Sequence, residues 1–309
     1  MSRFVLIGDP HAKPDNLHKI RKLCDIVENY NLPAVWLGDL LDTKDIVRAQ
    51  CLNTYYKYFS TSKLKHIILV GNHDYTTGEC SEHALETLKA LPNVKVVDEP
   101  YMEGTTLFLP YYRDNNKLRN QLVKADVVIC HMDIKSFDYG NGFISEEGIH
   151  PEELKDYKLI ISGHYHKYQQ KNNITYLGTP FSHNFGESNQ DKYLGIFNDE
   201  DTSFSTISTD FPKHRTIELD LSNNHEFDIN NVDHFRLIIK GNREQIETFD
   251  YSKYPGFKIV PEYVPEVYIT DLKQTQTPED MFSTWFTDIK KETDKELFNL
   301  GLYILKESK

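Results

Sequence analysis

The sequence predicts an α/β protein followed by a smaller α+β domain and a helical tail. Three observations carry this. Strand-like and helix-like segments alternate from the N-terminus to about residue 210. The later strands of that stretch lie close together with few helices between them, which points to a mixed sheet or two packed sheets rather than a purely parallel one. The texture then changes at 209–214. A chain of 309 residues is long enough for one large domain and one small one.

Taken in order, residues 4–7 form a short apolar run of strand type. Residues 14–30 place Leu17, Ile20, Leu23, Cys24 and Val27 at helical spacing, with Asp15 near the start. A strand at 34–37, a helix at 44–59 and a strand at 67–70 follow, then a helix at 81–91 that Ser81 is placed to cap. Further strands are expected at 94–97, 106–109, 127–130, 159–162, 175–177, 193–197 and 203–207. Beyond the change of texture the pattern is strand 216–219, strand 235–240, helix 243–249, strand 257–260 and strand 266–269. A Gln/Thr/Pro stretch at 273–278 reads as a linker, and 279–290 and 294–305 as amphipathic helices. The domain boundaries expected from this are 1–210, 211–272 and 273–309.

Composition narrows the class. Hydrophobic residues are 39% and charged residues 27%, a soluble globular profile without a membrane-length apolar run or signal-peptide architecture. Cys24, Cys51, Cys80 and Cys130 form no C-x-x-C pair, so a reducing, cytoplasmic setting without disulfides or a zinc knuckle is expected. The formal net charge is −12. Proteins that grip DNA unaided are usually basic. A nucleic-acid substrate therefore calls for bound cations, or for a partner that supplies basic surface.

The chemistry lies at the strand ends. Five segments follow apolar runs: Gly8-Asp9-Pro10-His11, Gly38-Asp39-Leu40-Leu41-Asp42, Gly71-Asn72-His73-Asp74, Cys130-His131 and Gly163-His164-Tyr165-His166. In α/β sheets the turns after the strands line a common crevice. Asp9, His11, Asp39, Asn72, His131, His164 and His166 supply two carboxylates, one amide oxygen and four imidazoles. That set suits two divalent metals sharing one carboxylate, with positions left for water and a phosphoryl oxygen. Nitrogen and oxygen donors without thiolate favour manganese, iron or zinc over calcium or magnesium. His73 is a poor second ligand from the turn that already offers Asn72, and fits better as a donor to the substrate. Asp42 is expected to hydrogen-bond His73 and fix its tautomer. A lone Gly-Asp after a strand is an ordinary turn; five such segments in this order are not. His18, His66, His83, His150, His183, His214, His225 and His234 read as surface or core, with His183 near enough to the last motif to line the cleft.

The order D-x-H, G-D-x-x-D, G-N-H-D, H, G-H-x-H over residues 4–166 resembles the calcineurin-like metallophosphoesterase superfamily. The resemblance implies a four-layer α/β/β/α sandwich. It implies one metal on Asp9, His11 and His166, a second on Asn72, His131 and His164, Asp39 bridging them, and His73 as the catalytic histidine with Asp42 behind it. Within the superfamily, residues 148–154, 176–181, 185–187 and 195–197 and the added C-terminal region resemble SbcD-type DNA repair nucleases, especially those of tailed phages. Asp42, where eukaryotic and archaeal relatives carry histidine, fits the bacterial and phage branch. This implies a manganese-dependent nuclease acting on duplex ends or hairpins, with a DNA-capping domain and a tail docked on an SbcC-like coiled-coil ATPase. Met281, Phe282, Trp285, Phe286 and Ile289 on one helical face, and Leu297, Phe298, Leu302 and Leu305 on another, suit helix-in-groove binding or packing on the chain's own capping domain. A homodimer is implied too, with Tyr55, Tyr56, Tyr58 and Phe59 as a candidate surface or as core. The alternatives are another phosphoesterase, such as a protein phosphatase or a nucleotide phosphohydrolase, and a scaffold without activity.

Overall fold

The computed structural model describes residues 3–42, 46–140, 142–222, 233–264, 277–290 and 294–307. Four strands come first: β1 (Arg3–Ile7), β2 (Ala34–Trp36), β3 (His66–Leu69) and β4 (Val94–Val97). Next come β5 (Tyr101–Glu103), β6 (Thr106–Leu109), β7 (Val127–His131), β8 (Leu159–Gly163), β9 (Gln169–Lys171) and β10 (Ile174–Tyr176). The chain continues with β11 (Tyr193–Asn198), β12 (Ser203–Ser208), β13 (His214–Asp220), β14 (His234–Gly241) and β15 (Lys258–Tyr263). The helices are α1 (Leu17–Asn29), α2 (Ala49–Thr61), α3 (Asn115–Gln121), α4 (Arg243–Glu247), α5 (Pro278–Thr284) and α6 (Lys295–Glu307).

Two six-stranded sheets result, ordered β12-β11-β1-β2-β3-β4 and β5-β6-β7-β8-β10-β9, with a three-stranded sheet β13-β14-β15. The inner strands β1 to β4 run parallel, as do β6, β7, β8 and β10, while β11, β12, β5 and β9 pair antiparallel at the margins. Both faces of the inner strands are buried, which is why they read as unbroken apolar runs. Alternate residues go opposite ways. Phe4, Leu6, Val35, Leu37, Ile67 and Leu69 pack with Phe108, Val127, Ile129 and Ile161 between the sheets. Val5, Ile7, Ala34, Trp36 and Ile68 pack outward on Ile20, Leu23, Val27, Tyr55 and Phe59 of α1 and α2. Val128, Cys130 and Ile160 pack on Leu118 of α3 and on Leu154. The layers are therefore helix, sheet, sheet, helix.

Several expectations change. The helix expected over 81–91 is only a 3₁₀ turn, Glu86–Ala90, and Ser81 caps nothing. Tyr75 and His83 form a β-bridge that closes a loop of bends and turns over 76–82, leaving one short turn after it, with Leu85 and Leu88 buried. The first helix starts at Leu17, because Asn16 instead ties Lys13 N and His11 O in a turn. α3 was not expected from the sequence; Asp114 caps it by accepting from Asn116 N at 2.8 Å. On α2, Tyr55 and Phe59 are core and Tyr56 is exposed. The expected strand 266–269, the linker at 273–276, the start of the helix at 44–45 and the side chain of Ile289 lie outside the described residues.

The described chain separates into two compact units, one of residues 1–218, 226–238 and 254–260, the other of 219–225, 239–253 and 261–309. All five motif segments belong to the first. The second contains α5, a π turn at Trp285–Ile289 and α6. There Phe282 stacks on Phe298 at 5.7 Å and Phe286 meets it edge-on at 5.2 Å. Gly301 gives Phe282 its place, since a Cβ there would lie 2.2 Å from the ring.

Candidate metal centre

Each motif segment leaves the C-terminal end of a parallel strand: Asp9 and His11 after β1, Asp39 after β2, Asn72 and His73 after β3, His131 at the end of β7 and His164 and His166 after β8. Asp9, His11, Asp39 and His131 are buried. The local backbone is specialised. His11, Asp39 and His164 have φ of 44°, 50° and 86°, a left-handed region that ordinary residues adopt at a cost. Gly38 has φ +103°, and a Cβ there would stand 2.5 Å from His131 Nδ1. Glycine is needed for the turn and for the approach of the imidazole.

Hydrogen bonds fix which imidazole nitrogens keep lone pairs. His131 Nδ1 lies 2.7 Å from Leu37 O, a carbonyl that can only accept, so Nδ1 carries the proton. His164 Nε2 lies 2.7 Å from Asp133 Oδ1, and His166 Nδ1 lies 2.9 Å from Glu187 Oε1. These carboxylates likewise accept a hydrogen bond from the N–H of the ring nitrogen they face. The opposite nitrogens turn inward as acceptors. Asn72 Oδ1 is 2.8 Å from His131 Nε2 and 2.9 Å from His164 Nδ1, which are themselves 3.2 Å apart. Three acceptors converge with no proton between them, and a cation is the partner that satisfies them.

Asp39 joins two such groups. His11, Asp39 and His73 can bring ligand atoms within 4.8 Å of one another, and so can Asp39, His131 and His164. Asp39 Oδ2 is 3.5 Å from His11 Nε2 and 3.5 Å from His131 Nε2. His166 Nε2 stands 3.0 Å from His11 Nε2. Asp9 accepts from His164 N at 2.9 Å, while its Oδ1 and His11 Nδ1 are buried without a hydrogen-bond partner. Burial, then the Asp39 charge, pushes the carboxyls of Asp9 and Asp74 up, Asp74 to about 8. Burial pulls His131 down to about 4, and burial and the neighbouring His166 pull His11 down. Crowded carboxylates with neutral imidazoles and orphaned buried acceptors are the donor set a pair of divalent ions fits.

His73 donates its main-chain N–H to Asp39 Oδ1 at 2.7 Å, and its ring nitrogen Nδ1 lies 2.6 Å from Asp42 O. The contact with Asp42 therefore exists, but through the peptide carbonyl rather than the expected carboxylate. The carboxylate faces Lys13 Nζ at 3.3 Å. The loop geometry accounts for this: the main chain of Asp42 is already beside the ring, and a nearby ammonium is the better partner for the charge. Four further residues brace the site; sequence reasoning gave no role to Asp74, Asp133 and Glu187, and placed His183 as lining the cleft. Asp74 accepts from Gly71 N, Leu40 N and Leu41 N and ties two motif loops together. Asp133 and Glu187 hold imidazoles. His183 packs edge-on to His11 at 5.4 Å. Asp74 closes the 71–74 segment, Glu187 lies in the 185–187 segment and His183 stands near the last motif, whereas Asp133 left no sequence signal.

Residues 2–168 match the calcineurin-like phosphoesterase family. Exonuclease subunit 1 of Enterobacteria phage T4 is 27% identical over 193 residues, covering 58% of this chain; the chain spans 57% of that relative's length. A structure described as a novel archaeal phosphodiesterase aligns at TM-score 0.39 and 16% identity, over 67% of this chain and 99% of that one. A hypothetical protein from Thermus thermophilus aligns at TM-score 0.40 and 12% identity, over 67% of this chain and 98% of that one.

Proposed function

The chain belongs to the calcineurin-like phosphoesterase family, and from that premise we propose that it is a metal-dependent DNA nuclease that hydrolyses phosphodiester bonds. The observation that carries the hydrolytic reading is the convergence of Asn72 Oδ1, His131 Nε2 and His164 Nδ1 beside a shared Asp39. The DNA substrate rests on the likeness to the phage exonuclease subunit.

Asp9, His11 and His166 would hold one divalent ion, and Asn72, His131 and His164 the other, with Asp39 shared by the two groups. Two such ions, manganese by preference, would supply an activated water and neutralise phosphoryl charge. His73 acts beside them. Its Nδ1–H is anchored on the carbonyl of Asp42, which leaves Nε2 to serve the phosphate or the leaving oxygen. Asp42 thus orients the imidazole, and its carboxylate keeps Lys13 near the site.

The partner is an SbcC-like coiled-coil ATPase, received by the C-terminal helices. Trp285, Leu297, Leu300 and Ile304 are exposed there and line an apolar groove with Phe282 and Phe286. That is the surface an amphipathic helix needs. We place the DNA-capping role in 211–272, the partner-binding role in 273–309 and a homodimer contact on the exposed side of α2.

The test is a manganese-dependent assay on open-ended and hairpin-ended duplexes, with and without a coiled-coil ATPase, beside a phosphopeptide and a dinucleotide polyphosphate. Cleavage of duplex DNA supports the reading. Turnover of either small substrate with DNA left intact replaces it with a phosphatase or a nucleotide hydrolase.

A further inference from the structure

Glu187 lies outside the five strand-end segments, yet it is the most elaborately held carboxylate in the described residues. It is buried at 5% exposure. Its Oε1 accepts from His166 Nδ1 at 2.9 Å. Its Oε2 accepts from Lys192 Nζ at 2.6 Å and from Thr179 Oγ1 at 3.0 Å. Lys192, also buried, donates to His166 O at 3.1 Å and to Thr179 Oγ1 at 2.8 Å. His166 is thus gripped at both ends, its ring by Glu187 and its carbonyl by the lysine that holds Glu187.

Stability does not explain this arrangement. Two charges removed from water lose several kcal/mol each, and a buried pair regains at best about that much, so an apolar pair of the same volume is often as stable. What the pair does supply is a charged acceptor on the outer nitrogen of an imidazole. A carboxylate there fixes the tautomer, aims the inner nitrogen and raises its basicity toward a metal. On the other side of the centre, Asp133 holds His164 in the same way, reinforced by Tyr165 OH at 3.2 Å.

We propose that Glu187, locked by Lys192, is the positioning residue for the metal held by His166, and Asp133 the counterpart for the metal held by His164. The proposal rests on reading the cluster as a dinuclear centre, and its test separates the two. Manganese titration of the wild-type chain, followed by electron paramagnetic resonance, is expected to show two ions and an exchange-coupled signal. If the wild type binds no cation, the reading of the centre fails, and this proposal with it.

Given two ions, the doubly neutral variant Glu187→Gln with Lys192→Met is expected to bind one ion as the wild type does. The other dissociation constant rises about 10- to 100-fold, so the coupled signal appears only at higher manganese. Asp133→Asn is expected to weaken the opposite ion. Two ions bound as in the wild type, with coupling at the same titration point, overturn the role. Should the double variant not fold, wild-type protein with ¹⁵N-histidine and ¹¹³Cd decides. The proposal requires cadmium coupling at His166 Nε2 with a retained Nδ1–H, and coupling at Nδ1 refutes it.

Discussion

The strand-end cluster and the C-terminal helical hairpin depart from ordinary burial in opposite directions. Asp9, Asp39, His11 and His131 are polar and buried. Trp285, Leu297, Leu300, Tyr303 and Ile304 are apolar and between 42% and 61% exposed. Each region is incomplete alone, for opposite reasons. The first carries acceptors and charge that water cannot reach, so it asks for a cation. The second leaves apolar surface in water, so it asks for another apolar surface. The comparison teaches that the deficit itself names the class of missing partner.

The sharpest way to separate ligand from catalyst within the first region is His73→Ala. Its ring hangs on a peptide carbonyl at the margin of the cluster, so manganese stoichiometry should be unchanged while turnover on duplex DNA drops roughly 100- to 10,000-fold. Loss of bound manganese in this variant would move His73 into the ligand set.

Chelation tests the contrast between the regions directly. Each cation bound at a thousandfold excess over its dissociation constant stabilises the fold by about 4 kcal/mol. Removing both should lower the melting temperature of the first unit and abolish hydrolysis, and manganese should restore both. Hydrogen exchange across 277–307 should not respond. Equal loss of protection in both regions would deny that the deficits are separate.

Acid should discriminate in the same way. His66 is buried, accepting from Trp36 Nε1 at 3.3 Å and facing Ser62 Oγ at 2.8 Å. Burial lowers it to about 4 from an unfolded value of 6.5. The unfolded chain therefore takes up its proton first. Stability from this group is complete above pH about 6.5 and is lost as pH falls toward about 4, on the order of 3 kcal/mol in all. The helices at 277–307 contain no histidine. His66→Gln should flatten the acid limb of the denaturation curve for the first unit, and an unchanged limb would assign the sensitivity to the metal-site histidines.

The smallest effect is expected at Leu300→Ser. An exposed side chain at 54% contributes within about 0.5 kcal/mol to stability. Melting and manganese-dependent cleavage by the chain alone should stay as in the wild type, while co-sedimentation with the coiled-coil ATPase weakens. A drop in intrinsic cleavage would show that the hairpin serves the site itself.

The ligand set was legible in the linear sequence because its signal is local. A short apolar strand followed by glycine and a carboxylate or imidazole places that side chain at a strand end, whatever the rest of the chain does. The layered architecture was legible for the same reason, since a strand buried on both faces must be apolar throughout. Residues 279–290 and 294–305 likewise declared their helices through apolar spacing. Where a local signal competes with a distant contact, the sequence misleads. Ser81 looked like a cap, but it lies in the loop that the bridge from Tyr75 to His83 closes. Asp42 looked like a carboxylate partner for His73, but its carbonyl makes the contact.

By itself, then, the sequence determined which residues stand at the strand ends and what elements they can ligate. The tertiary structure alone decided how each imidazole is aimed. His131 takes its direction from Leu37, 94 positions away, His164 from Asp133, 31 away, and His166 from Glu187, 21 away. The physical reason is that donor types are a property of residues, whereas tautomer and lone-pair direction are a property of the hydrogen bond on the opposite nitrogen, and that bond exists only once strands and loops distant in sequence have come together.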